Sequence, residues 1–573
     1  MAPTAPLRAS LASLADTLEG FSFRLPGPHQ APREEERSDL VWSIREYLIP
    51  RLGDLGGPVV AVMAGSTGSG KSTLVNSLAQ AKIGEVGAIR PTTLNPVVWT
   101  HGRHQDRYRD DFLDGYGRSP GAEKHLDVVP GSDPLLENLS VLDVPDIDSV
   151  VVENRQMADE LLAIADLCVF VTTAQRYADA IPWSFLEQAQ RRGLPLLFVV
   201  NRLPPGPEAR RQILADYARR LAEHGVLLDE DPSLLFAIAE QDTDPEHGGL
   251  PAEEVAHIRR ELGLLSDPEV RRQLVRQSTE GAVSEVIDRG RRVASMLEDE
   301  RREVEGLMEV ARLAYRAQMD EVRRLLYEGS LIREQVLERW QEFVGTGDLW
   351  KSLNTGASTV RRWARTVFGG QAPPVEQVGG EAKSELVAAI TRRADLGARA
   401  AAAAWEADPS GKVLLEEAGG RALWRHDEGT PGLARRALQG WMSDVSRMIG
   451  ELGEGKQRTA RMASFGVNAA AVVVLIAVFS QTGGITGAEL GITAGAAAVQ
   501  QKLLEHLFGS AAARSLIERA RGRLEEALDE VLMADAARFL AAARSLLPPQ
   551  GLASEIREQV RHLSGRAGDF YGR

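Results

Sequence analysis

The stretch Gly65-Ser66-Thr67-Gly68-Ser69-Gly70-Lys71-Ser72 follows the apolar run Val59–Ala64 and opens a stretch of helical periodicity, Lys71–Gln80. It matches G-x-x-x-x-G-K-[ST] in full, in the strand-to-helix context where that motif has a mechanism. Its glycines let the backbone wrap a phosphate so that successive N–H groups point inward. The helix that starts there adds its positive dipole end, Lys71 brings a cation to the β- and γ-oxygens, and Ser72 can ligate Mg²⁺. Thr73, next in the helix, joins the same nucleotide-binding set. A magnesium-linked acid should end a second buried strand. Leu139-Ser140-Val141-Leu142-Asp143 supplies it, with Asp143 in the Walker-B position. Between the two lies Arg90-Pro91-Thr92-Thr93, where a threonine in a loop can close over metal and γ-phosphate; Thr93 is the first choice and Thr92 the second. The expected catalytic set is Lys71, Thr93 and Asp143, and the expected Mg²⁺ ligands are Ser72, Thr93 and Asp143.

Working outward, short apolar runs alternate with helical stretches from Pro58 to about residue 265. The expected strands are Val59–Ala64, Pro96–Thr100, Leu126–Val129, Leu139–Asp143, Leu167–Thr172, Pro195–Val200 and Leu234–Ile238. Helices are expected at Glu153–Ala165, Pro182–Arg192 and Pro207–His224 as well as after the glycine loop. This alternation predicts an α/β fold with a mostly parallel sheet covered by helices on both faces. Upstream, Leu7, Leu11, Leu14 and Leu18, then Leu40, Ile44, Tyr47 and Leu48, recur at helical spacing around a Pro26-Gly27-Pro28 break. Downstream, Arg/Glu/Leu/Ala-rich stretches at 268–343, 381–450 and 501–566 read as an all-α body, with Pro373-Pro374 and Gly379-Gly380 marking a linker or loop.

The expected organisation is therefore N-terminal helices over 1–56 packing with the trunk, a nucleotide-binding domain over 57–265, and a helical trunk over 266–460. An apolar helical hairpin over 461–509 and C-terminal trunk helices over 510–573 complete it. In the hairpin, Ser464–Gln481 includes Val472-Val473-Val474-Leu475-Ile476-Ala477-Val478-Phe479. Such an arm would be about 27 Å long as a helix, just enough for a hydrocarbon core, and this marginal length favours burial. The second arm, Ile485–Phe508, carries Gly487, Gly491 and Gly495 on one face, which permits close helix approach. Membrane insertion and burial inside the trunk both remain open, and Asn468 and Glu489 favour burial. Lys456, Arg458, Arg461 and Lys502 flank the arms. A second candidate membrane contact is the basic, Trp-bearing stretch 349–370, with Trp350, Trp363, Lys351, Arg361, Arg362 and Arg365, which suits an anionic lipid surface.

The chain has 573 residues with 67 Lys+Arg against 81 Asp+Glu, a net charge of −14, which argues against a nucleic-acid coat. Its one cysteine, Cys168, excludes an internal disulfide or a cysteine-rich zinc site. The first ten residues lack the apolar core of a signal peptide. His101, His104 and His125 read as loop or surface histidines.

Gly65–Ser72, Arg90–Thr93 and Asp143-Val144-Pro145-Asp146 resemble the phosphate, switch and D-x-x-G boxes of the translation-factor-like GTPase class. With the helical body behind them, the chain resembles bacterial dynamin-like GTPases, by motif over 58–240 and by architecture elsewhere. The resemblance implies a Mg²⁺–GTP head whose hydrolysis is linked to head dimerisation, with itself or a related GTPase. It also implies a trunk that touches anionic lipid at the inner face of the cell membrane, with the chain in the cytoplasm. A soluble regulatory GTPase, for instance in ribosome assembly, and a nucleotide-dependent scaffold are the alternatives.

The chain departs from the pattern in three places. Asp146, counted among the expected nucleotide-binding residues, stands where the box has glycine, a carboxylate near the expected γ-phosphate, and Ile147 stands where many such enzymes carry a water-orienting glutamine. Gly68 replaces a polar P-loop residue. In the base-recognition box, Asn201-Arg202-Leu203-Pro204 replaces N/T-K-x-D. The resemblance puts Asn201 on a purine edge and the Arg202 stem over the ring, but Pro204 cannot accept guanine's hydrogen bonds. Only the resemblance makes GTP the expected nucleotide, with ATP or mixed use open.

Overall fold

The computed structural model describes residues 4–84, 96–108, 126–146, 161–226, 231–328, 373–417, 419–452, 471, 474, 475, 477, 478, 505 and 508–572. The chain divides into two compact units. The first comprises Met1–Phe23, Ala31–Glu298 and Pro549–Arg573; the second comprises Arg24–Gln30 and Asp299–Pro548.

The first unit is built on a seven-stranded sheet: β1 Val59–Ala64, β2 Val97–His101, β3 Asp127–Gly131, β4 Leu139–Asp143, β5 Leu167–Thr173, β6 Leu196–Leu203 and β7 Leu235–Ala239. The order is β3-β2-β4-β1-β5-β6-β7. Every neighbouring pair is parallel except β2 with β4, which is antiparallel. The strands are β-branched and apolar, and β1, β4 and β5 are buried along their whole length, as a sheet covered on both faces requires. Alternate residues serve opposite faces. Val59, Ala61 and Met63 pack with Leu74, Val75 and Ile258. Val60, Val62 and Ala64 pack with Leu11, Ile44 and Val560.

That second face differs from the expected division. The helices Ala5–Glu19 and Gln30–Trp42, the latter running on through a π-helical Ser43–Leu48 into Ile49–Gly53, belong with the sheet, and so does the C-terminal helix Leu552–Tyr571. Leu7, Leu11, Leu14 and Leu18 are buried on one stripe of the first helix, and Ile556, Val560 and Leu563 on one stripe of the last. Gln559 Nε2 donates to Thr17 Oγ1 at 2.8 Å.

Under the sheet, the Asp166 carboxylate accepts four hydrogen bonds and also holds an ion pair with Arg51. Arg51 Nη2 lies 2.7 Å from Oδ2, with both side chains fully buried. Arg51 Nε (3.1 Å), Tyr47 Oη (3.2 Å) and Ser278 Oγ (3.1 Å) donate to Oδ1, and the Val60 amide donates to Oδ2 at 3.0 Å. Burial pushes the Tyr47 phenol up to about 12, and the neighbouring Asp166 charge adds to this.

The second unit is helical. Its core joins Tyr315, Trp405, Trp441 and Phe539 to a long run of alanine and leucine. Asp535 is its polar centre. Tyr315 Oη donates to it at 2.5 Å, Thr430 Oγ1 at 2.7 Å and the Asp427 amide at 2.7 Å. The residues expected to form a linker, Pro373-Pro374 and Gly379-Gly380, instead lie in the first turns of a helix, Pro373–Glu406. Proline is tolerated there because its missing N–H would be unpaired anyway. The cost of two glycines, about 1 kcal/mol each, is offset by burial of Ala382, Leu386 and Ile390 beyond them.

Of the first hairpin arm, Ala471, Val474, Leu475, Ala477 and Val478 are described, and all five are buried in this core together with Phe508. Among the described residues no helix is long and apolar enough to cross a membrane. Apart from Glu505, the rest of both arms, their flanking Lys456, Arg458, Arg461 and Lys502, and the basic stretch 349–370 lie outside the described residues.

Candidate functional site

The chemistry converges at the carboxyl ends of β1, β4, β5 and β6. β1 ends at Ala64, and the glycine loop crosses directly to the helix Lys71–Ala79. Three glycines take the positive φ that the wrap requires: Gly65 at 152°, Gly68 at 73° and Gly70 at 96°. At Gly65 a Cβ would lie 2.1 Å from the Val171 carbonyl of β5, and at Gly70 it would lie 2.3 Å from Asn201 Nδ2. The loop is pinned internally by the Ser69 amide on the Ser66 carbonyl at 3.0 Å. The hydroxyls of Ser66 and Ser69 are buried without a protein partner. A concave loop with main-chain N–H groups at a helix start and unpartnered hydroxyls is what a phosphate chain requires.

Lys71 extends back along the loop. Its ammonium donates to the Gly65 carbonyl at 2.9 Å and the Ser66 carbonyl at 3.4 Å, and it lies 2.5 Å from Asp146 Oδ1. Asp146, expected among the nucleotide-binding residues, is thus an ion-pair partner of the P-loop lysine.

The register of β1 with β4 sets Asp143 beside Met63. Its Oδ2 accepts from Ser72 Oγ at 2.6 Å, while Oδ1 is buried without a partner. Burial pushes the Asp143 carboxyl up to about 6; the Ser72 bond and the Lys71 charge pull it down, and Asp146 pushes it up further. A hydroxyl and a carboxylate with one orphaned oxygen form a hard, oxygen-only donor pair, and they fit Mg²⁺. Thr92, Thr93 and Ile147 lie outside the described residues.

Asn201 at the end of β6 does other work than the base-box resemblance implies. Its Nδ2 donates to the Ser69 carbonyl at 2.9 Å and its Oδ1 accepts from the Arg202 amide at 2.8 Å. Both ends of the amide therefore brace the loop and the irregularity of β6 at Arg202, whose φ is +53° and where the register to β7 shifts. The Arg202 side chain is exposed.

Sequence reasoning missed Asn76. It lies one helical turn after Ser72 and is fully buried. Its Oδ1 accepts from the amides of Ile83 (2.8 Å) and Gly84 (2.9 Å), and its Nδ2 donates to the carbonyls of Gly84 (3.1 Å) and His247 (2.8 Å). This holds Gly84 against the Ser72–Asp143 pair, for a Cβ there would come 3.0 Å from Asp143 Oδ2. An asparagine at i+4 from Ser72 was the available signal. His101 and His104 sit at the end of β2 away from these groups; the ring of His101 accepts from the Arg103 amide at 3.2 Å.

Known proteins are similar to this chain over part or most of its length. A family model described as 50S ribosome-binding GTPase matches residues 60–202. The probable transmembrane GTPase FZO-like, chloroplastic, of Arabidopsis thaliana is 24% identical over 158 residues, 27% of this chain and 16% of that protein. The chain thus matches about one sixth of that relative's length. Two solved chains of an oligomerised bacterial dynamin pair, described as a mechanism for long-range sensing and tethering of membranes, are each 13% identical. Their TM-scores are 0.39 and 0.37, over 98% and 96% of this chain and 96% and 94% of theirs. Residues 60–202 are a P-loop GTPase domain, set in a chain whose motifs resemble those of bacterial dynamin-like GTPases.

Proposed function

We propose that this chain is a dynamin-like GTPase that binds and hydrolyses Mg²⁺–GTP at the cytoplasmic face of a membrane, with turnover linked to pairing of its GTPase domains. The observation that carries the nucleotide half is the juxtaposition of the glycine cradle with Lys71 and the Ser72–Asp143 pair at 2.6 Å. Loop amides and Lys71 would bind the β- and γ-phosphates, and Ser72 Oγ with Asp143 would hold Mg²⁺. When bound, that ion supplies charge neutralisation between the two phosphates. Thr93 remains the proposed third ligand. With Asn201 committed to the loop and Pro204 unable to accept, guanine selection rests on weak contacts, so ATP is expected to compete measurably.

The membrane half rests on the sequence of 464–508 and 349–370. Burial of Ala471, Val474, Leu475, Ala477 and Val478 supports shelter of that part of the first arm in the trunk; its release toward a membrane in another state is part of the proposal. Membrane contact is then conditional rather than constitutive.

The deciding experiment measures phosphate release from GTP and from ATP in competition, with and without anionic liposomes. GTP turnover stimulated by liposomes is expected, as is its loss in Lys71→Ala with the helical content retained. Turnover indifferent to vesicles at every nucleotide concentration would leave a soluble GTPase. Absence of binding to either triphosphate would end the nucleotide reading.

A further inference from the structure

We infer that Asp146 is a built-in competitor for the lysine of the phosphate cradle, so that a nucleotide enters by displacing a carboxylate of the protein itself. This rests on the nucleotide reading above and adds to it a residue that sets nucleotide affinity.

The ammonium of Lys71 has three donors and three acceptors: the carbonyls of Gly65 and Ser66 and Oδ1 of Asp146. The pair is largely withdrawn from water, with Lys71 5% and Asp146 19% exposed. At that burial an ion pair is screened little by salt, and neither member is easily left alone. A phosphate oxygen reaching Lys71 must therefore replace one of the three. The two carbonyls are fixed by the loop, through the Gly65 backbone and the Ser69–Ser66 hydrogen bond. Asp146 is a side chain at the end of the short run after Asp143, and it carries the same sign of charge as the incoming group. It is the partner that yields.

Its departure is confined to a short lever. Val144 is fully buried, so the backbone up to that point is anchored, and Pro145 restricts the next φ. Movement is left to Asp146 itself, three residues beyond the magnesium aspartate. The exchange of carboxylate for phosphate thus ties occupancy of the cradle to the position of Asp146. No bond is made or broken in it beyond the ion pair.

The test is equilibrium binding of GTP and of GDP, with Mg²⁺ present, to the wild-type full chain, Asp146→Asn, Lys71→Met and the double variant. Asp146→Asn keeps the shape and removes the competing charge; Asp146→Ser serves if circular dichroism shows the asparagine variant misfolded. About tenfold tighter GTP binding is expected on removing one charge-assisted hydrogen bond from the competition. No further gain is expected from Asp146→Asn once Lys71 is methionine. Unchanged or weaker binding in Asp146→Asn overturns the inference while leaving the nucleotide reading intact. An equal gain in the Lys71→Met background overturns it too, because Asp146 would then act by general repulsion and not through the lysine. If neither wild type nor Asp146→Asn binds GTP or GDP, the nucleotide reading falls and this inference falls with it.

Discussion

Asn201 Nδ2 donates to the Ser69 carbonyl at 2.9 Å across 132 residues of sequence, tying the end of β6 to the phosphate loop. The same amide receives the Arg202 N–H, so the residue in the base-recognition position works first as a brace of the cradle. Its removal should then be felt by the phosphates more than by the base.

Asn201→Ala is expected to weaken GTP and ATP binding alike, by roughly tenfold, since it frees the Ser69 carbonyl and leaves a buried group unpaired. Titration calorimetry with both nucleotides checks this. A loss confined to GTP would make Asn201 a base contact and not a brace.

Gly70→Ala forces a side chain into a φ of 96° and places its Cβ 2.3 Å from that same Asn201 nitrogen. Strain of about 1–2 kcal/mol is expected from the backbone alone, with nucleotide binding lost. Thermal unfolding and nucleotide titration together read it; a variant that binds normally would show that the loop can re-route.

Asp143 sets a pH dependence. Its folded value of about 6 lies above the ordinary carboxylate value of 3.8, so folding takes up a proton between them and stability falls as pH rises through that window. Without metal, Asp143→Asn should therefore stabilise the chain above pH 6, on the order of 3 kcal/mol, and make little difference near pH 4. Mg²⁺ needs the ionised form, so Mg²⁺-dependent hydrolysis at limiting metal should fall below pH 6 and be lost in the variant. Melting curves at pH 4 and 8 with and without Mg²⁺ separate the two effects. Phosphate release unchanged in Asp143→Asn would take Asp143 out of the site.

Asp166→Ala strands Arg51 in a fully buried place and removes an acceptor from Tyr47, Ser278 and the Val60 amide. A loss of about 3–5 kcal/mol is expected, seen in denaturant unfolding of the first unit. Arg51→Met with Asp166→Leu should recover much of it. A single variant as stable as wild type would mean that water reaches the hub.

All seven strands were legible because each is a short β-branched run bounded by turn residues, and the glycine cradle because its spacing is itself the mechanism. The antiparallel placement of β2 was not, since Val97–His101 reads the same in either direction and its neighbour is set by the fold. The Asp166 hub was invisible for a related reason. Its partners Arg51 and Ser278 are more than a hundred residues away on either side, so no spacing joins them. At Asn201 the position was legible but the use was not, because a carboxamide serves a base edge and a loop carbonyl equally well. Asp146 was read as a misplaced charge; its pairing with Lys71 needed three dimensions.

The helix Leu552–Tyr571 closes the same unit that Ala5–Glu19 opens, through Gln559 and Thr17 and the apolar stripes of both. Ribosomal synthesis must therefore pass through all of Asp299–Pro548 before the GTPase core receives its final layer. A nascent chain already holds the glycine loop while its covering is still unmade, so factors that shelter exposed sheet during translation should matter more for this molecule than its modest sheet would suggest. Moving that last helix upstream by circular permutation should shorten the exposed interval.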